Sequence, residues 1–552
     1  MTFIFLHNVS ELLNDIYYDP KFAVASLIVI FIYNTQTEYR ELAKEETNFF
    51  KIFFYVTFII YLSILTIIVG ILKETYATIG YLYEDEILSM MKQADGYTSN
   101  LDVVLPFIFK YSIPIFAATG LLMYIYYKTT QNEITIFKIF SFRLSISYVL
   151  IIYLISCYLH FVKILRPDVH PIGNFLKDNA YLVKNQSIIF PDKKKNLLIF
   201  ALEGFEITFA SKKNGGAFDT SYMPYLESLA ADKNNIHFTQ HKDGKFGGPQ
   251  YCGRIRLTSQ AHFAMTCGYP LIDNFERFKV SGGKIYMSKV TCLGDVMSQN
   301  GYETSVVIPS WWYDWGLGGI FEYHGFKRKF QNTDIKKTAI KWVKDKYTFD
   351  FIKKELTELY KIGKPFYLHT MNMDTHEKGI LCDLCPDAEK GENNYHRVYK
   401  CFDKQFESFH KWLQQQPFYN DTVIILIGDH LSRDPYHPRA AAKAGVDRRT
   451  YNLIINSDFV PLNRTGRSFT NLDIYPTALG ALGAKVYGEQ IGLGTNMFSN
   501  RETMEEEFGL GPLENEFGGL ISFYHTVVEG GQAASSSCDS SEPCVMANMT
   551  QL

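Results

Sequence analysis

The sequence lacks a strong excess of either charge. Its 552 residues include 55 Lys and Arg against 58 Asp and Glu, so the formal net charge is −3. No long run of basic residues interrupts this balance. We therefore expect no nucleic-acid partner. The length excludes a single compact core, since chains of this size divide into two or more domains.

Charged residues are also scarce in stretches of the first 163 positions, whereas they are spread over the rest of the chain. The stretch from Ile52 to Leu72 contains none, and a helix of that length crosses the hydrocarbon core of a bilayer. We expect an N-terminal α-helical transmembrane bundle at 1–163, with helices at 20–34, 51–72, 104–127 and 144–162. The first of these is short, and its alternative is an interfacial or signal-like segment.

The distribution of Lys and Arg around these segments predicts their orientation. The loops 34–51 and 128–143 carry most of these residues, whereas residues 1–20 carry none. Since basic loops stay in the cytoplasm, the N-terminus and the large C-terminal part are expected on the non-cytoplasmic side, periplasmic or extracellular. The protein would then be a multi-pass integral membrane protein. A transporter is disfavoured, because the segments show no charged set beyond Lys110.

The chain contains nine cysteines, and all except Cys157 follow the predicted membrane segments. An even set in an exported domain indicates disulfides, with Cys382, Cys385 and Cys401 involved in one local bridge. A zinc knuckle built on "CDLC" is the alternative, but no second paired cluster of Cys or His follows at the required spacing. The spacing of the cysteines does not reveal which of them form disulfides with each other.

After a polar linker at 164–189, apolar runs alternate with helical patterns over residues 190–500. The helical patterns lie at 347–362 and 398–415, and the runs typical of buried strands are "NLLIFAL", "TSVVIPS", "PFYLHTMNM", "TVIILIGDH" and "YNLIINSD". This alternation predicts an α/β domain with a mainly parallel sheet. A C-terminal extension at 501–552 ends in a Ser-rich tail and is expected to be partly disordered.

Polar residues stand where these strands end. Glu203 follows "NLLIFAL", and Asp429 with His430 follows "VIILIG". Ligands of open α/β sheets bind outside the carboxyl ends of strands, and carboxylates with an imidazole suit a divalent cation. His376 follows a third strand, where it can bind a phosphate oxygen or protonate a leaving group. The alternatives are an exposed loop histidine at His376 and a helix N-terminal acid at Glu203.

The stretch "YCGRIRLTSQAHFAMTCGYPL" offers a cysteine, a threonine and a serine as nucleophile. "CGRIR" invites comparison with the sulfatase signature Cys-x-Pro-x-Arg, but Arg254 stands in place of the proline. Spacing is more informative, because the nucleophile of sulfatase-like enzymes begins a helix that ends at a small residue and a Gly. Counting back from Cys267 and Gly268 selects Thr258 as the nucleophile and leaves Cys252 too early.

Residues 190–500 contain a series of short motifs, "NLLIFALEGFE", "LTSQAHFAMTCGYPL", "NMDTHEKG", "LIGDHLSR" and "NLDIYPTALGALG". Their order resembles the alkaline phosphatase and sulfatase superfamily, and within it the membrane-anchored phosphoglycerol transferases and lipoteichoic acid synthases. The resemblance implies a sulfatase-like catalytic domain behind membrane spans. It also implies a catalytic Thr258, substrate contacts from His376 and Trp315, and one divalent metal ion, Mn or Zn, held by Glu203, Thr258, Asp429 and His430.

The activity that this resemblance implies is transfer of a phosphoglycerol-type or phosphoethanolamine-type headgroup. The donor would be a membrane phospholipid, the acceptor a hydroxyl of a glycan or polymer, and the intermediate a phospho-threonine. One departure concerns the headgroup, because the family's phosphate-binding Arg, two residues after the Trp matched by Trp315, is Leu317 here. Lys and Arg within 433–449 are candidates for the missing charge, with a solvated loop as the alternative.

Two other functions compete with this one. A membrane-anchored hydrolase of the same fold, a phosphodiesterase or a sulfatase, would share the first half-reaction and pass its intermediate to water. A receptor with an inactive sulfatase-like domain is disfavoured, since the candidate metal and nucleophile residues are all present. The sequence gives no indication of the oligomeric state.

Overall fold

The computed structural model describes residues 179–180, 188–271, 290–312, 314–339, 342–385 and 393–518. Outside these ranges lie the Ser-rich tail, most of the predicted linker and the predicted transmembrane helices at 20–34, 51–72, 104–127 and 144–162. Among the helices within the described ranges, none has the length and the apolar character that crossing a membrane requires.

The described residues form one six-stranded sheet and two two-stranded ribbons, surrounded by helices. The strands are β1 (Ile188–Ile189), β2 (Asn196–Leu202), β3 (Glu303–Val307), β4 (Arg328–Phe330), β5 (Phe366–Met371), β6 (Thr422–Gly428), β7 (Asn452–Ile455), β8 (Lys485–Val486), β9 (Gln490–Ile491) and β10 (Gly494–Thr495). The helices are α1 (Pro224–Ala231), α2 (Thr258–Cys267), α3 (Leu293–Gln299), α4 (Leu317–Glu322), α5 (Asn332–Ile335), α6 (Asp345–Lys361), α7 (Asn394–Gln414), α8 (Tyr436–Ala444), α9 (Ile474–Ala481), α10 (Met504–Phe508) and α11 (Leu510–Gly518).

The large sheet has the strand order β4-β3-β5-β2-β6-β7. Neighbouring strands are parallel except for β7, which runs antiparallel to β6 at one edge. The prediction of a mainly parallel sheet in an α/β domain is therefore confirmed. Because β5, β2 and β6 are adjacent and run in the same direction, their carboxyl ends meet at one edge of the sheet.

The two faces of β2 enter two separate hydrophobic cores. Its odd-numbered residues from Leu197 pack with α2, α3, α4 and α9, whereas its even-numbered residues from Leu198 pack with α1, α6 and α7. All seven residues of β2 are buried. A continuous apolar run rather than an alternating one is the pattern of a strand covered by helices on both faces.

The helices α6 and α7 begin earlier than the periodic patterns at 347–362 and 398–415. α7 begins at Asn394 because the side chain of Asn393 accepts a hydrogen bond from the backbone N–H of Tyr395. Such an N-cap is a local polar contact that the apolar period does not reveal. β4 was not predicted, since it has three half-buried residues at the sheet edge and no apolar run.

Two disulfides link helices to neighbouring segments. Cys267, the last residue of α2, is bonded to Cys292, the residue before α3. Cys385 is bonded to Cys401 of α7, which confirms the prediction of a local bridge in this group. Cys382 is a thiol whose Sγ lies 3.6 Å from the Sγ of Cys385.

The helices α10 and α11 lie beyond residue 500, in the range assigned to a C-terminal extension. Thr503 caps α10 by accepting a hydrogen bond from the backbone N–H of Glu506. Leu513 and Phe517 of α11 are fully buried and belong to the same core as α2. Residues 501–518 therefore pack against the α/β domain, and the boundary at residue 500 stays a prediction.

Candidate active site

Glu203 and Asp429 lie side by side at the carboxyl edge of the sheet, because the last residues of β2 and β6 are paired in register. The backbone N–H groups of Gly204 and His430 donate hydrogen bonds to Asp429 Oδ1, at 2.9 and 2.7 Å. These bonds fix one carboxylate oxygen. The other, Oδ2, is buried and accepts no hydrogen bond from the described residues.

Thr258 reaches this edge as the first residue of α2. Its Oγ1 lies 3.2 Å from Glu203 Oε2 and 3.2 Å from His430 Nε2. The first-turn N–H groups of a helix have no partner within it, so the ten-residue α2 presents donors beside this hydroxyl. The helix ends at Gly268, whose φ of +77° favours glycine, and a Cβ there would lie 2.7 Å from the carbonyl oxygen of Ile491.

The ring of His430 completes the cluster. Its Nδ1 lies 2.9 Å from the carbonyl oxygen of Leu431, which orients the ring. Nε2 is thereby directed at the two acids, 3.3 Å from Glu203 Oε1 and 3.5 Å from Asp429 Oδ2. A backbone carbonyl that fixes one ring nitrogen is the usual support for a histidine that binds a metal through the other.

The electrostatics of this cluster indicate a deficit of positive charge. Burial raises the pKa of Asp429, and the neighbouring Glu203 carboxylate contributes to a value of about 8. Burial opposes the charge of His430, but Asp429 and Glu203 outweigh it and raise the His430 pKa to about 9. Burial also acts to raise the pKa of Glu203, yet the charge of His430 holds it well below its ordinary range.

The donor set fits a divalent cation. One ligand atom from each of Glu203, Asp429 and His430 can be chosen so that all lie within 4.8 Å of one another. Two buried carboxylates, one with an oxygen that lacks a hydrogen bond, require a cation in a medium of low dielectric. Carboxylate, imidazole and hydroxyl ligands suit both Mn and Zn. The structure thus brings together the four residues predicted as metal ligands, including Thr258.

His376 and Trp315 also lie close together, with ring centroids 5.7 Å apart and an interplanar angle of 26°. Both ring nitrogens of His376 are buried and have no hydrogen-bond partner in the part of the chain that the structure describes. Burial lowers the pKa of His376, so its ring is neutral near pH 7. A neutral imidazole with one N–H and no protein partner is suited to a ligand oxygen.

The backbone of Trp315 is held in an unfavourable conformation. Its φ is +52°, in the left-handed region, within a 3₁₀ turn that leads into α4. For a residue with a bulky side chain this costs about 1–3 kcal/mol and persists only where the surrounding structure enforces it. Such outliers concentrate at functional sites, which is consistent with the contact between Trp315 and His376.

The loop that carries His376 is tied to Glu203 by two hydrogen bonds. The hydroxyl of Thr375 donates to the carbonyl oxygen of Glu203 at 2.5 Å. The backbone N–H of Glu203 donates to the side-chain oxygen of Asn372 at 2.8 Å. A change in this loop therefore moves the candidate metal ligand. Asn372 was not singled out from the sequence, although it lies one residue before the "MDTH" segment.

Trp342 is a second residue of the site that the sequence did not indicate. Its ring lies 5.2 Å from the ring of His376 and 6.5 Å from that of Trp315, so three aromatic rings meet. Trp342 stands in the connection between α5 and α6, outside every motif. No local signal identifies it, because only the packing of this loop against the sheet edge brings it here.

This chain is similar in sequence to known proteins. A family model described as Sulfatase matches residues 195–484, just over half of the chain. Phosphoglycerol transferase I of Escherichia coli is 26% identical over 341 residues, which cover 59% of this chain and 42% of that protein. The chain thus matches less than half the length of such curated relatives.

Similar solved structures include two from bacteria. Lipoteichoic acid synthase LtaP from Listeria monocytogenes is 18% identical, with 59% of this chain and 81% of that chain covered and a TM-score of 0.41. Streptococcus pyogenes phosphoglycerol transferase GacH, in complex with sn-glycerol-1-phosphate, is 12% identical. The match covers 64% of this chain and 90% of that chain, with a TM-score of 0.41.

Proposed function

Because this chain belongs to the sulfatase family, we propose that it is a metal-dependent phosphotransferase. It moves a phosphoglycerol-type or phosphoethanolamine-type headgroup from a membrane phospholipid to a hydroxyl of a glycan or polymer. The observation that carries this proposal is the position of Thr258 Oγ1, 3.2 Å from both Glu203 and His430 at the N-terminus of a buried helix. The match to phosphoglycerol transferase I supports the substrate class.

A threonine nucleophile favours phosphoryl transfer over the chemistry of cysteine-dependent sulfatases. Cys252 is fully buried and has no disulfide partner in the described structure. Burial raises the pKa of its thiol well above the ordinary value, which makes it unreactive. Cys252 also lies outside the group of ligands that contains Glu203, and Arg254 replaces the proline of the sulfatase signature.

Glu203, Asp429 and His430, with the hydroxyl of Thr258, would hold the divalent cation. Such a cation lowers the pKa of a hydroxyl and offsets negative charge on phosphoryl oxygens. Glu203 orients Thr258 by accepting a hydrogen bond from its hydroxyl. Asn372 and Thr375 hold the backbone of Glu203 in place, so the carboxylate and the loop of His376 move as one unit.

In the first half of the proposed reaction, Thr258 Oγ1 forms a bond to phosphorus while the bond from phosphorus to the diacylglycerol oxygen breaks. The proton that Thr258 Oγ1 loses ends on the leaving diacylglycerol oxygen, and the headgroup phosphate stays on Thr258. His376 donates a hydrogen bond to a phosphoryl oxygen, and the N–H groups at the start of α2 point to the same phosphate. In the second half, an acceptor hydroxyl oxygen forms a bond to phosphorus while the bond from phosphorus to Thr258 Oγ1 breaks, and the acceptor's proton returns to Thr258.

The proposal includes a location on the non-cytoplasmic side of a membrane. The disulfides Cys267–Cys292 and Cys385–Cys401 support it, since such bonds persist in oxidising compartments. The predicted helices at 20–34, 51–72, 104–127 and 144–162 would anchor the domain within reach of its lipid donor. The catalytic domain at 190–500 and the linker at 164–189 complete this organisation.

The test uses full-length protein in vesicles that contain phosphatidylglycerol or phosphatidylethanolamine with a fluorescent acyl chain. With Mn²⁺ or Zn²⁺ present, we expect release of fluorescent diacylglycerol and a phosphorylated Thr258 detectable by mass spectrometry. Thr258→Ala removes the attacking oxygen and should lower turnover by roughly 10⁴-fold or more. Its melting temperature should match that of the wild type.

Thr258→Ser is the matched control, because it keeps a hydroxyl and should keep measurable turnover. If Thr258→Ala retains the wild-type rate, the proposal is wrong. If the headgroup passes to water at the same rate with and without a glycan acceptor, and never to the acceptor, the protein is a hydrolase.

A further inference from the structure

The substrate phosphate needs a positively charged side chain that the expected position does not supply. Leu317, two residues after Trp315, is fully buried at the start of α4 and packs in the hydrophobic core. It can neither reach a phosphate by hydrogen bonding nor offset its charge. A phosphodiester carries a negative charge throughout the reaction, so another cation is required.

Most basic residues of the segment 433–449 are committed elsewhere or point to solvent. Arg448 forms an ion pair with the fully buried Glu206 at 2.5 Å, and Arg449 lies 3.8 Å from Glu505. Arg439 and Lys443, on α8, are exposed. The segment is therefore not a uniformly solvated loop. The remaining candidate for a contact with the substrate phosphate is Arg433.

Arg433 lies next to the candidate site. It follows His430 by three residues, and its guanidinium forms an ion pair with the carboxylate of Glu377, the residue after His376. The side chain of Arg433 is 12% exposed, so this charge is largely removed from solvent. This ion pair joins the loop that follows His430 to the loop that carries His376.

We propose that Arg433 binds the substrate phosphate, and that Glu377 holds the guanidinium in position until the phosphate displaces it. This inference deepens the proposed function and rests on it for the identity of the phosphodiester. A guanidinium offers two parallel N–H donors, which match two oxygens of a phosphate as well as two oxygens of a carboxylate. The Glu377 carboxylate therefore stands where a phosphoryl group can bind.

The burial of the pair explains how the exchange can occur. The side chain of Glu377 is 29% exposed, more than that of Arg433, so the carboxylate can move into water while the guanidinium stays in the site. The two buried nitrogens of His376 lack a protein partner in the described chain, and a phosphate held by Arg433 would give one of them an acceptor. Arg433 and His376 then contact the same anion from adjoining loops.

The test measures binding of inorganic phosphate and of sn-glycerol 1-phosphate to the full-length protein in detergent, by isothermal titration calorimetry with Mn²⁺ present. Arg433→Gln should weaken both ligands by about tenfold or more, the cost of one charged hydrogen-bonded contact. Glu377→Gln should tighten both several-fold, because it removes the competing carboxylate. Arg439→Gln, an exposed arginine on α8, is the control and should bind as the wild type does.

The opposite signs of the two variants separate ligand binding from a structural role. If Arg433→Gln binds both ligands as tightly as the wild type, or if Glu377→Gln weakens them as much as Arg433→Gln does, the proposal is overturned. Arg433→Lys keeps the charge without the paired donors, so its affinity for both ligands should lie between those of the wild type and Arg433→Gln. The binding measurement needs no turnover, so a failure of lipid transfer would not change its result. Likewise, unchanged phosphate binding by Arg433→Gln would not exclude lipid transfer.

Discussion

At the scale of single residues, the buried Asp374 lies beside a second buried acid, Asp345, whose backbone N–H donates a hydrogen bond to Asp374 Oδ2 at 3.2 Å. Burial and the Asp345 carboxylate raise the pKa of Asp374 to about 9. Asp345 accepts hydrogen bonds from the backbone N–H groups of Met373 and Asp374, at 2.7 and 3.1 Å. In an unfolded chain an aspartate titrates near about 3.9. The stability that the protonated Asp374 contributes is therefore complete below that pH and is lost as the pH rises toward 9.

Asp374→Asn should change the pH dependence of unfolding, because an amide does not ionise. At pH 8 we expect the variant to melt at a higher temperature than the wild type, and at pH 4 at about the same temperature. Differential scanning fluorimetry of the two proteins across this range measures the difference. Asp350→Asn, on the exposed face of α6, is the control and should not change the profile. A lower melting temperature for Asp374→Asn at pH 8 would contradict this account.

A second prediction at this scale concerns Trp342. Its ring packs against His376 and Trp315, so Trp342→Ala should loosen the binding of the proposed lipid headgroup without removing a reacting group. We expect KM for the lipid donor to rise by roughly 2–10-fold, the worth of one aromatic contact, with kcat little changed. Trp311→Ala, which truncates a side chain that is mostly exposed, should leave both constants unaltered. A fall in kcat at constant KM would place Trp342 in the chemical step instead.

At the scale of elements, one buried carboxylate joins the segments behind the candidate metal ligands. Glu206, in the loop after β2, forms an ion pair with Arg448, which precedes β7. It also accepts hydrogen bonds from the backbone N–H of Ser432 at 2.8 Å and from the hydroxyl of Thr208 at 2.7 Å. Because Ser432 lies two residues after His430, this contact holds the loop that carries the imidazole.

Glu206→Gln leaves the buried guanidinium of Arg448 without its counter-charge. We expect the free energy of unfolding near pH 7 to fall by about 3–5 kcal/mol, as measured by urea denaturation. Glu358→Gln is the matched control, since its pair with Lys361 is exposed and screened by water, so its loss should change stability far less. Equal effects of the two substitutions would show that the buried pair adds no more than a surface pair.

The stability contributed by the Glu206–Arg448 pair should depend on pH in a definite direction. Burial acts to raise the pKa of Glu206, but the charge of Arg448 outweighs it and holds that pKa below its ordinary range. The pair's contribution is therefore present above the unfolded pKa of about 4.3 and is lost as the pH falls through the lowered value. The gap between wild type and Glu206→Gln should narrow in acid, and a gap that widens there would refute the assignment.

Elements were predictable where one local property determines them. The strands β2 and β6 coincide with continuous apolar runs, and α2 begins at Thr258 as the spacing to Gly268 predicts. The early start of α7 was missed, because a single hydrogen bond from the backbone to Asn393 determines it. Apolar patterns indicate which segments are buried, whereas caps and edge strands depend on contacts too local or too polar to change the pattern.

At the scale of the whole molecule, sequence reasoning reached the fold class and grouped the candidate residues. Glu203, Asp429 and His430 could be placed together because strand ends of a parallel sheet share an edge. Thr258 was added to them by its spacing to Gly268 and by the family resemblance. Trp342 could not be placed there, and Arg433 could not be singled out among the basic residues of 433–449, since both positions depend on how connections fold back over that edge. The family match covers residues 195–484 and therefore does not include the predicted membrane helices, so the membrane anchor and the lipid substrate remain proposals.

The central place of β2 has a consequence for the making of this protein. Asn196 in β2 bonds to Thr422 in β6, 226 residues further along the chain. At a synthesis rate of about 5–20 residues per second, β6 leaves the ribosome roughly 10–45 s after β2. Throughout that interval an apolar strand has an edge without its partner, which is a template for aggregation. The nascent chain must therefore be shielded until its last central strand arrives, and no partial chain that ends before β6 can assemble the candidate cation site.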